Sequence, residues 1–374
     1  EFPEFFKNLV EAEDPRLSGN LNSMGDWLTT AINSTRGDAV EALLNLALRQ
    51  KNAGKEIEPW IFKLIKSRLE LADESPAIFA LLGAKLRFLI HLFEAELRES
   101  PVLLFPPDRP VHRSAAVVAH IKYDQAWNRI IQIFPQFLSE AIKTLLILRN
   151  EGNDVEDKQN RRDFGSRLGT HIASYYWSGS FPADAEGEVL LAQFFKMAGK
   201  STRAMLIGQI ASIWENVAAE TTDKRIIARV MRIWDQRNAQ IIKQIQSQNA
   251  AISDYEGELA ESIDWLNCEC FPFEWRFAHA KNALALLKIA PPVYRLLKAI
   301  TDFGTLPGRL DAMLQLLGML LKKPSDELRW SIQFKDLAPV IIPGLASENR
   351  DTQQLAVECR DLLLKMGFSE FLNL

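Results

Sequence analysis

"STRAMLIGQIASIWENV", residues 201–217, sets the period by which the rest of the chain is read. Its apolar residues Ile210, Ile213, Trp214 and Val217 follow Leu206 by 4, 7, 8 and 11 positions. That spacing puts all five on one face of a helix. The same pattern recurs in "WIFKLIKSRLELA" (60–72), "AWNRIIQIFPQFLSEAIKTLLILRN" (126–150) and "KRIIARVMRIWDQRNAQIIKQIQ" (224–246), and again in "RLDAMLQLLGMLLKK" (309–323) and "TQQLAVECRDLLLKMG" (352–367). No stretch alternates as a half-buried strand would. "VLLF" (102–105) and "PVIIP" (339–343) are short and have prolines beside them, so they read as linkers or helix ends.

Helix punctuation agrees with this period. Ser75-Pro76 reads as an N-cap followed by proline in the first turn. Asp223 is placed to cap a helix beginning near Lys224, and Pro324-Ser325-Asp326-Glu327 to open another. Gly367, after Lys365-Met366, reads as a stop. Short connections predict antiparallel hairpins. Gly83, Gly169, Gly208 and Gly318 each follow Leu or Ile inside a helical run, 86, 39 and 110 residues apart. Those separations lie near multiples of about 40, the length of a helical-hairpin repeat. Glycine costs about 1 kcal/mol in a helix interior, so close helix packing is the expected reason for each.

The expected fold is therefore all-α: an α-solenoid, or irregular antiparallel helical-hairpin repeats of the HEAT or TPR kind. A polar loop over 151–163, within "RNEGNDVEDKQNRRD" (149–163), is expected to separate an N-terminal half (1–150) from a C-terminal half (164–374) of one array. "ESPVLLFPPDRPVHR" (99–113) holds four prolines and is not helical throughout. "SPAIFALLGAKLRFLIHLF" (75–93) is interrupted by Lys85 and Arg87, so it reads as a buried helix and no membrane partner is expected. The chain opens at Glu1 directly into "EFPEFFKNLVEAE", so it is expected to be part of a longer protein whose enzymatic module, if any, lies elsewhere.

A net charge of −4 argues against a dedicated nucleic-acid binder. Three cysteines in 374 residues make no disulfide framework, which points to a reducing, cytoplasmic setting.

Chemistry is sparse. Gly199-Lys200-Ser201-Thr202 resembles the end of a phosphate-binding loop, but Phe194 stands where the loop's first glycine belongs. The segment reads instead as a turn between two helices, and no cofactor is expected. Cys268, Cys270 and His279 fall within twelve residues, yet one intervening residue sends the two thiols in different directions on a helix. No metal is expected there, and Cys359 reads as a core residue. The histidines, at 91, 112, 120, 171 and 279, form no ligand spacing, although His112 and His120 lie about two helical turns apart. No nucleophile elbow or dinucleotide signature is present. The basic residues offer more. Arg225, Arg229 and Arg232, at i, i+4 and i+7, form one helical stripe that Arg237 and Lys243 extend. Arg161, Arg162 and Arg167 lie near the polar segment. Such residues suit an acidic peptide or a nucleic-acid backbone. The competing reading is a solvated face paired with Asp223 and Asp235.

The order of helices in "GDAVEALLNLAL" (37–48), "AIFALLGAKLRFLIHLF" (77–93), "AWNRIIQIFP" (126–135), "LLAQFFKMAGKSTRAMLIGQIASIW" (190–214) and "RVMRIWDQRN" (229–238) resembles the helical C-terminal regions of large bacterial anti-phage defence proteins. These include AVAST-type proteins with a STAND NTPase module and relatives with a sirtuin-like effector. "WRFAHAKNALALL" (275–287) through "AVECRDLLLKMGFSEF" (356–371) is similar to their closing helices. The resemblance implies a sensor and scaffold that recognises a phage protein or nucleic acid, with the effector elsewhere in the parent chain. It carries over no site residue. Against this non-catalytic sensor stand a general adaptor solenoid and a helical enzyme of unfamiliar type. The ligand and the oligomeric state are left open.

Overall fold

The computed structural model describes residues 2–14, 27–150, 155–218, 220, 222–247, 251–288, 291, 293–323, 328 and 331–374, with backbone alone at 2, 149–150 and 155–162. The described residues form helices joined by turns and include no strand. They divide into two compact units, Glu1–Thr202 and Arg203–Leu374.

Unit 1 runs α1 (Phe2–Val10), α2 (Trp27–Ile32), α3 (Thr35–Asn52), α4 (Pro59–Glu70), α5 (Pro76–Ala84), α6 (Leu86–Glu99), α7 (Pro110–Tyr123), α8 (Asn128–Ile133), α9 (Phe137–Asn150), α10 (Val155–Trp177) and α11 (Asp184–Met197). The division falls inside α12 (Lys200–Trp214). Unit 2 continues with α13 (Lys224–Gln246), α14 (Glu256–Ser262), a 3₁₀ turn (Ile263–Asn267), α15 (Phe273–Leu286), α16 (Val293–Gly304), α17 (Leu310–Leu321), α18 (Phe334–Leu345) and α19 (Arg350–Lys365).

Local chemistry accounts for the ends. Ser75 Oγ accepts the Ala77 N–H at 3.3 Å, with Pro76 opening α5. Asp223 Oδ1 accepts the Arg225 N–H at 2.8 Å at the start of α13. Gly367 has φ +100°, a left-handed conformation. There its N–H and that of Phe368 reach back to the carbonyls of Leu364 and Leu363 at 3.0 and 3.1 Å, closing α19.

Four sequence expectations are corrected. Residues 155–163 are not loop: α10 begins at Val155 and runs 23 residues. Polar composition does not make a segment irregular: Asp, Lys, Gln and Arg are all admissible in a helix. "PVIIP" lies within α18, with Pro339 and Pro343 inside the helix. Packing against α16, α17 and α19 offsets the two lost N–H donors. "SPAIFALLGAKLRFLIHLF" is two helices, bent by 95° at Lys85. α5 is buried along nearly its whole length, whereas α6 is amphipathic. Arg237 does not extend the exposed arginine stripe; it is buried. The expected helix start at Pro324–Glu327 lies outside the described residues.

The glycines separate into different cases. A Cβ on Gly83 would stand 2.2 Å from the Ala116 carbonyl oxygen, so α5 and α7 meet backbone to backbone there. At Gly208 the neighbour is the movable end of the Glu261 side chain, at 2.2 Å. At Gly318 the nearest atom is Cys359 Sγ at 3.6 Å, an ordinary contact. Gly169 is buried within α10. No single helix among the described residues is long and apolar enough to cross a membrane.

Candidate functional site

The segment that resembles a phosphate loop is a helical hairpin. Phe194 is fully buried in α11, Phe195 is buried beside it, and Ala198 caps that helix. α12 starts at Lys200, which is exposed. No glycine stands where the backbone would wrap a phosphate.

The cysteines are thiols satisfied in the core. Cys268 Sγ donates to Ala211 O at 3.3 Å, Cys270 Sγ to Trp214 O at 3.7 Å and Cys359 Sγ to Leu314 O at 3.4 Å. Burial raises all three thiol pKa values, that of Cys359 to about 12. Thiols so held are poor nucleophiles and poor metal ligands. Among the described residues no three His, Cys, Asp or Glu side chains gather to hold a metal.

The arginines fall in two places. Arg225 and Arg232 are exposed on α13 and Arg229 is half-buried between them. Asp235, the proposed partner for the stripe, is engaged elsewhere: its Oδ1 accepts from Trp275 Nε1 and His279 Nε2, each at 2.8 Å. Asn238 Nδ2 lies 3.2 Å from His279 Nδ1, which leaves Nε2 as the protonated ring nitrogen. Arg161, Arg162 and Arg167 are all on α10, in unit 1. The side chains of Arg161 and Arg162 lie outside the described residues; Arg167 is exposed and reaches Asp163 Oδ1 at 3.4 Å. The two arginine sets belong to different compact units.

A concave surface lies elsewhere, in unit 1. A cavity of about 730 Å³ is walled by Leu28 and Ile32 of α2, Leu81 of α5, Phe88 of α6, Tyr123 at the end of α7 and Trp127 at the start of α8. The 95° bend at Lys85 makes it, because it turns one face of α6 away from the core. Three large apolar side chains stay open to water here: Ile32 at 48%, Phe88 at 47% and Tyr123 at 56% exposure. Two ion pairs frame them. Lys85 Nζ meets Glu41 Oε1 at 2.7 Å, and Arg87 Nη1 meets Asp124 Oδ1 at 3.4 Å. The Arg87 guanidinium also lies 5.7 Å from the centre of the Trp127 ring, within cation–π range.

α10 braces this surface from behind. Tyr175 Oη accepts the Trp127 N–H at 3.1 Å and donates to the Trp127 carbonyl at 3.3 Å. His171 Nε2 bonds the Asp124 carbonyl at 3.2 Å, so it is the protonated nitrogen. His120 is wholly buried against it, ring centres 5.6 Å apart and perpendicular. Burial pushes both imidazoles down to about 3; Arg87 further disfavours charge on His120, and His120 disfavours it on His171. Burial likewise pushes the Tyr175 hydroxyl up to about 12. These groups stay neutral near pH 7 and hold the Asp124–Trp127 turn in place.

No groove residue was read from sequence as part of a binding surface. Phe88 and Arg87 sat inside what read as one buried helix, and only the bend exposes them. A signal was present for the brace: His120 and Asp124 are four apart at the end of α7, and Nδ1 lies 3.6 Å from Oδ2. Compared with known proteins, the chain matches no family model, no curated protein sequence and no solved structure.

Proposed function

We propose that this chain is a non-catalytic binding module, an irregular array of helical hairpins of the solenoid type, whose unit 1 groove receives a protein partner. The observation that carries this reading is the cluster of Ile32, Phe88 and Tyr123 around one cavity, each about half exposed. Apolar surface left open in one place, rimmed by charge, is characteristic of an interaction site. The rim pairs Lys85–Glu41 and Arg87–Asp124 offer both signs to an incoming chain and suit a mixed-charge amphipathic segment.

The ionisable groups favour structure over catalysis. Buried Glu74 and Glu258 are each held by two arginines, and the cysteines are held as thiols. The setting implied by the resemblance is target sensing in the cytoplasm by a bacterial antiviral defence protein, with a phage-derived protein as the partner. A second reading, contact with a nucleic-acid backbone through α13, rests on the exposure of Arg225 and Arg232.

Selection of a displayed peptide library on the full chain tests the groove. Enriched peptides should carry apolar residues at helical or alternating spacing and lose at least tenfold affinity on Phe88→Asp. Peptides that bind Phe88→Asp as well as the parent, but lose binding when Arg225, Arg229 and Arg232 are reversed in charge, would move the site to α13.

A further inference from the structure

A second cavity, of about 470 Å³, lies in unit 1 between the segment leading into α7 and the turn joining α8 to α9. Its size suits a small molecule rather than a protein element. Its walls are preformed. Pro101 and Pro107 on one side and Pro135 on the other fix the backbone where each stands. Phe105 meets Phe134 and Phe137 edge-on, ring centres 5.0 and 5.5 Å apart. Phe134 and Phe137 are buried, while Val102, at the mouth, is 59% exposed.

The floor is charged. Arg113 Nε lies 3.0 Å from Glu140 Oε2, and both atoms are shut away from solvent. Glu140 also receives Lys143, whose Nζ lies 2.7 Å from Oε1. One carboxylate therefore faces two cations. Arg113 Nη1 is committed to the Pro107 carbonyl at 3.2 Å. Glu140 is the one carboxylate and Arg113 the one cation among the described lining residues; Lys143, outside the lining, draws on that carboxylate and leaves Arg113 Nη2 uncommitted among the described residues.

We infer that this pocket binds a small amphipathic carboxylate, its apolar body against Phe105, Phe134 and Val102 and its anionic group on Arg113. Arg113 Nη2 and the second hydrogen of Nη1 supply the donors for a carboxylate. The phenylalanine and proline walls supply contact area without much loss of side-chain freedom on binding. This site is separate from the groove and does not depend on how the groove is used.

The test is calorimetric titration of the full chain with dodecanoate, dodecanol and dodecyltrimethylammonium, each below its aggregation limit. Dodecanoate should saturate a single site, with dodecanol at least fivefold weaker and the cation not binding. Val102→Trp, which blocks the mouth from an exposed position, should weaken dodecanoate at least tenfold. Phe88→Asp, in the groove, should leave it unchanged. Arg113→Gln should erase the preference for the acid over the alcohol; if that variant does not fold, Val102→Trp still decides. The inference is overturned if dodecanoate shows no saturable binding, if Val102→Trp has no effect, or if the cation binds equally well. Tighter binding of an acetylated peptide ending in Leu-Leu would overturn the small-molecule reading in favour of a peptide C-terminus.

Discussion

Each compact unit buries one carboxylate between two arginines, and the two arrangements hold different things still. In unit 1, Glu74 is fully buried. It takes Arg36 from α3, Arg68 Nε from α4 at 2.6 Å, and the Ser75 N–H at 2.7 Å. It thereby fixes the start of α5, the helix that ends at the 95° bend. In unit 2, Glu258 lies within α14. Arg203 Nε reaches it at 2.6 Å, and Arg237 grips it with two nitrogens at 2.7 and 2.8 Å. Both guanidinium groups lie about 5.5 Å from the centre of the Tyr255 ring. Around that clamp unit 2 gathers its aromatics into core: Trp234 stacks on Trp265 at 6.2 Å, and Trp265 on Phe271 at 5.7 Å. Unit 1 leaves Phe88 and Tyr123 at the surface instead. Similar clamps thus support a closed aromatic core in one unit and an open aromatic groove in the other.

The largest effects should come from the clamps and the core. Glu74→Ala and Glu258→Ala each strand buried arginine charge and should cost about 3–5 kcal/mol. Hydrogen exchange should place each loss in its own unit, and a loss below about 1 kcal/mol at either site would break the parallel. Trp265→Ala should cost a similar amount, about 3–5 kcal/mol, by urea denaturation.

Next comes Gly83→Ala, whose new methyl meets the Ala116 backbone; overpacking should cost about 1–3 kcal/mol. Gly318→Ala should instead stabilise, by up to about 1 kcal/mol, since only Cys359 Sγ stands near. Equal signs at the two sites would contradict the packing account.

Acid should act on unit 1 through its buried imidazoles. His120 and His171 titrate near 3 when folded and near 6.5 when unfolded, so below pH 6.5 the unfolded chain binds more protons. Their contribution to stability is complete above pH 6.5 and is lost as pH falls towards 3, at up to about 1.4 kcal/mol per pH unit for each histidine. His120→Leu should flatten that slope between pH 6.5 and 4, about the range of those shifts, in urea titrations. An unchanged slope would assign the acid response to other groups. The smallest effect belongs to the groove: Phe88→Ser should change stability by no more than about 0.5 kcal/mol.

How much of this was legible in sequence follows from the range of the interactions. Helical period and caps are local, so the helix at 224–246, the Ser75 and Asp223 caps and the Gly367 stop could be read from neighbouring residues; the one expected along 201–217 ends at Trp214, which leaves Val217 outside it and Ile213 exposed. The bend at Lys85 could not. Lys85 and Arg87 marked an interruption in the apolar run, but neither the 95° turn nor the seating of Gly83 against Ala116, which is remote in sequence, follows from neighbouring residues. The groove was hidden for the same reason, because its walls come from α2, α5, α6 and α7. Arg237 looked like one more member of a basic stripe until Glu258, 21 residues on, took it into the interior. Residues 155–163 show the opposite failure, since polar composition alone does not distinguish a helix from a loop.

The most direct measurement compares binding and stability in one variant, the double substitution Phe88→Asp and Tyr123→Asp. If the groove is a binding surface and not exposed core, a peptide selected on the parent chain should lose at least tenfold affinity while the denaturation midpoint stays within error. Retained affinity, or a midpoint that falls together with binding, would contradict that assignment.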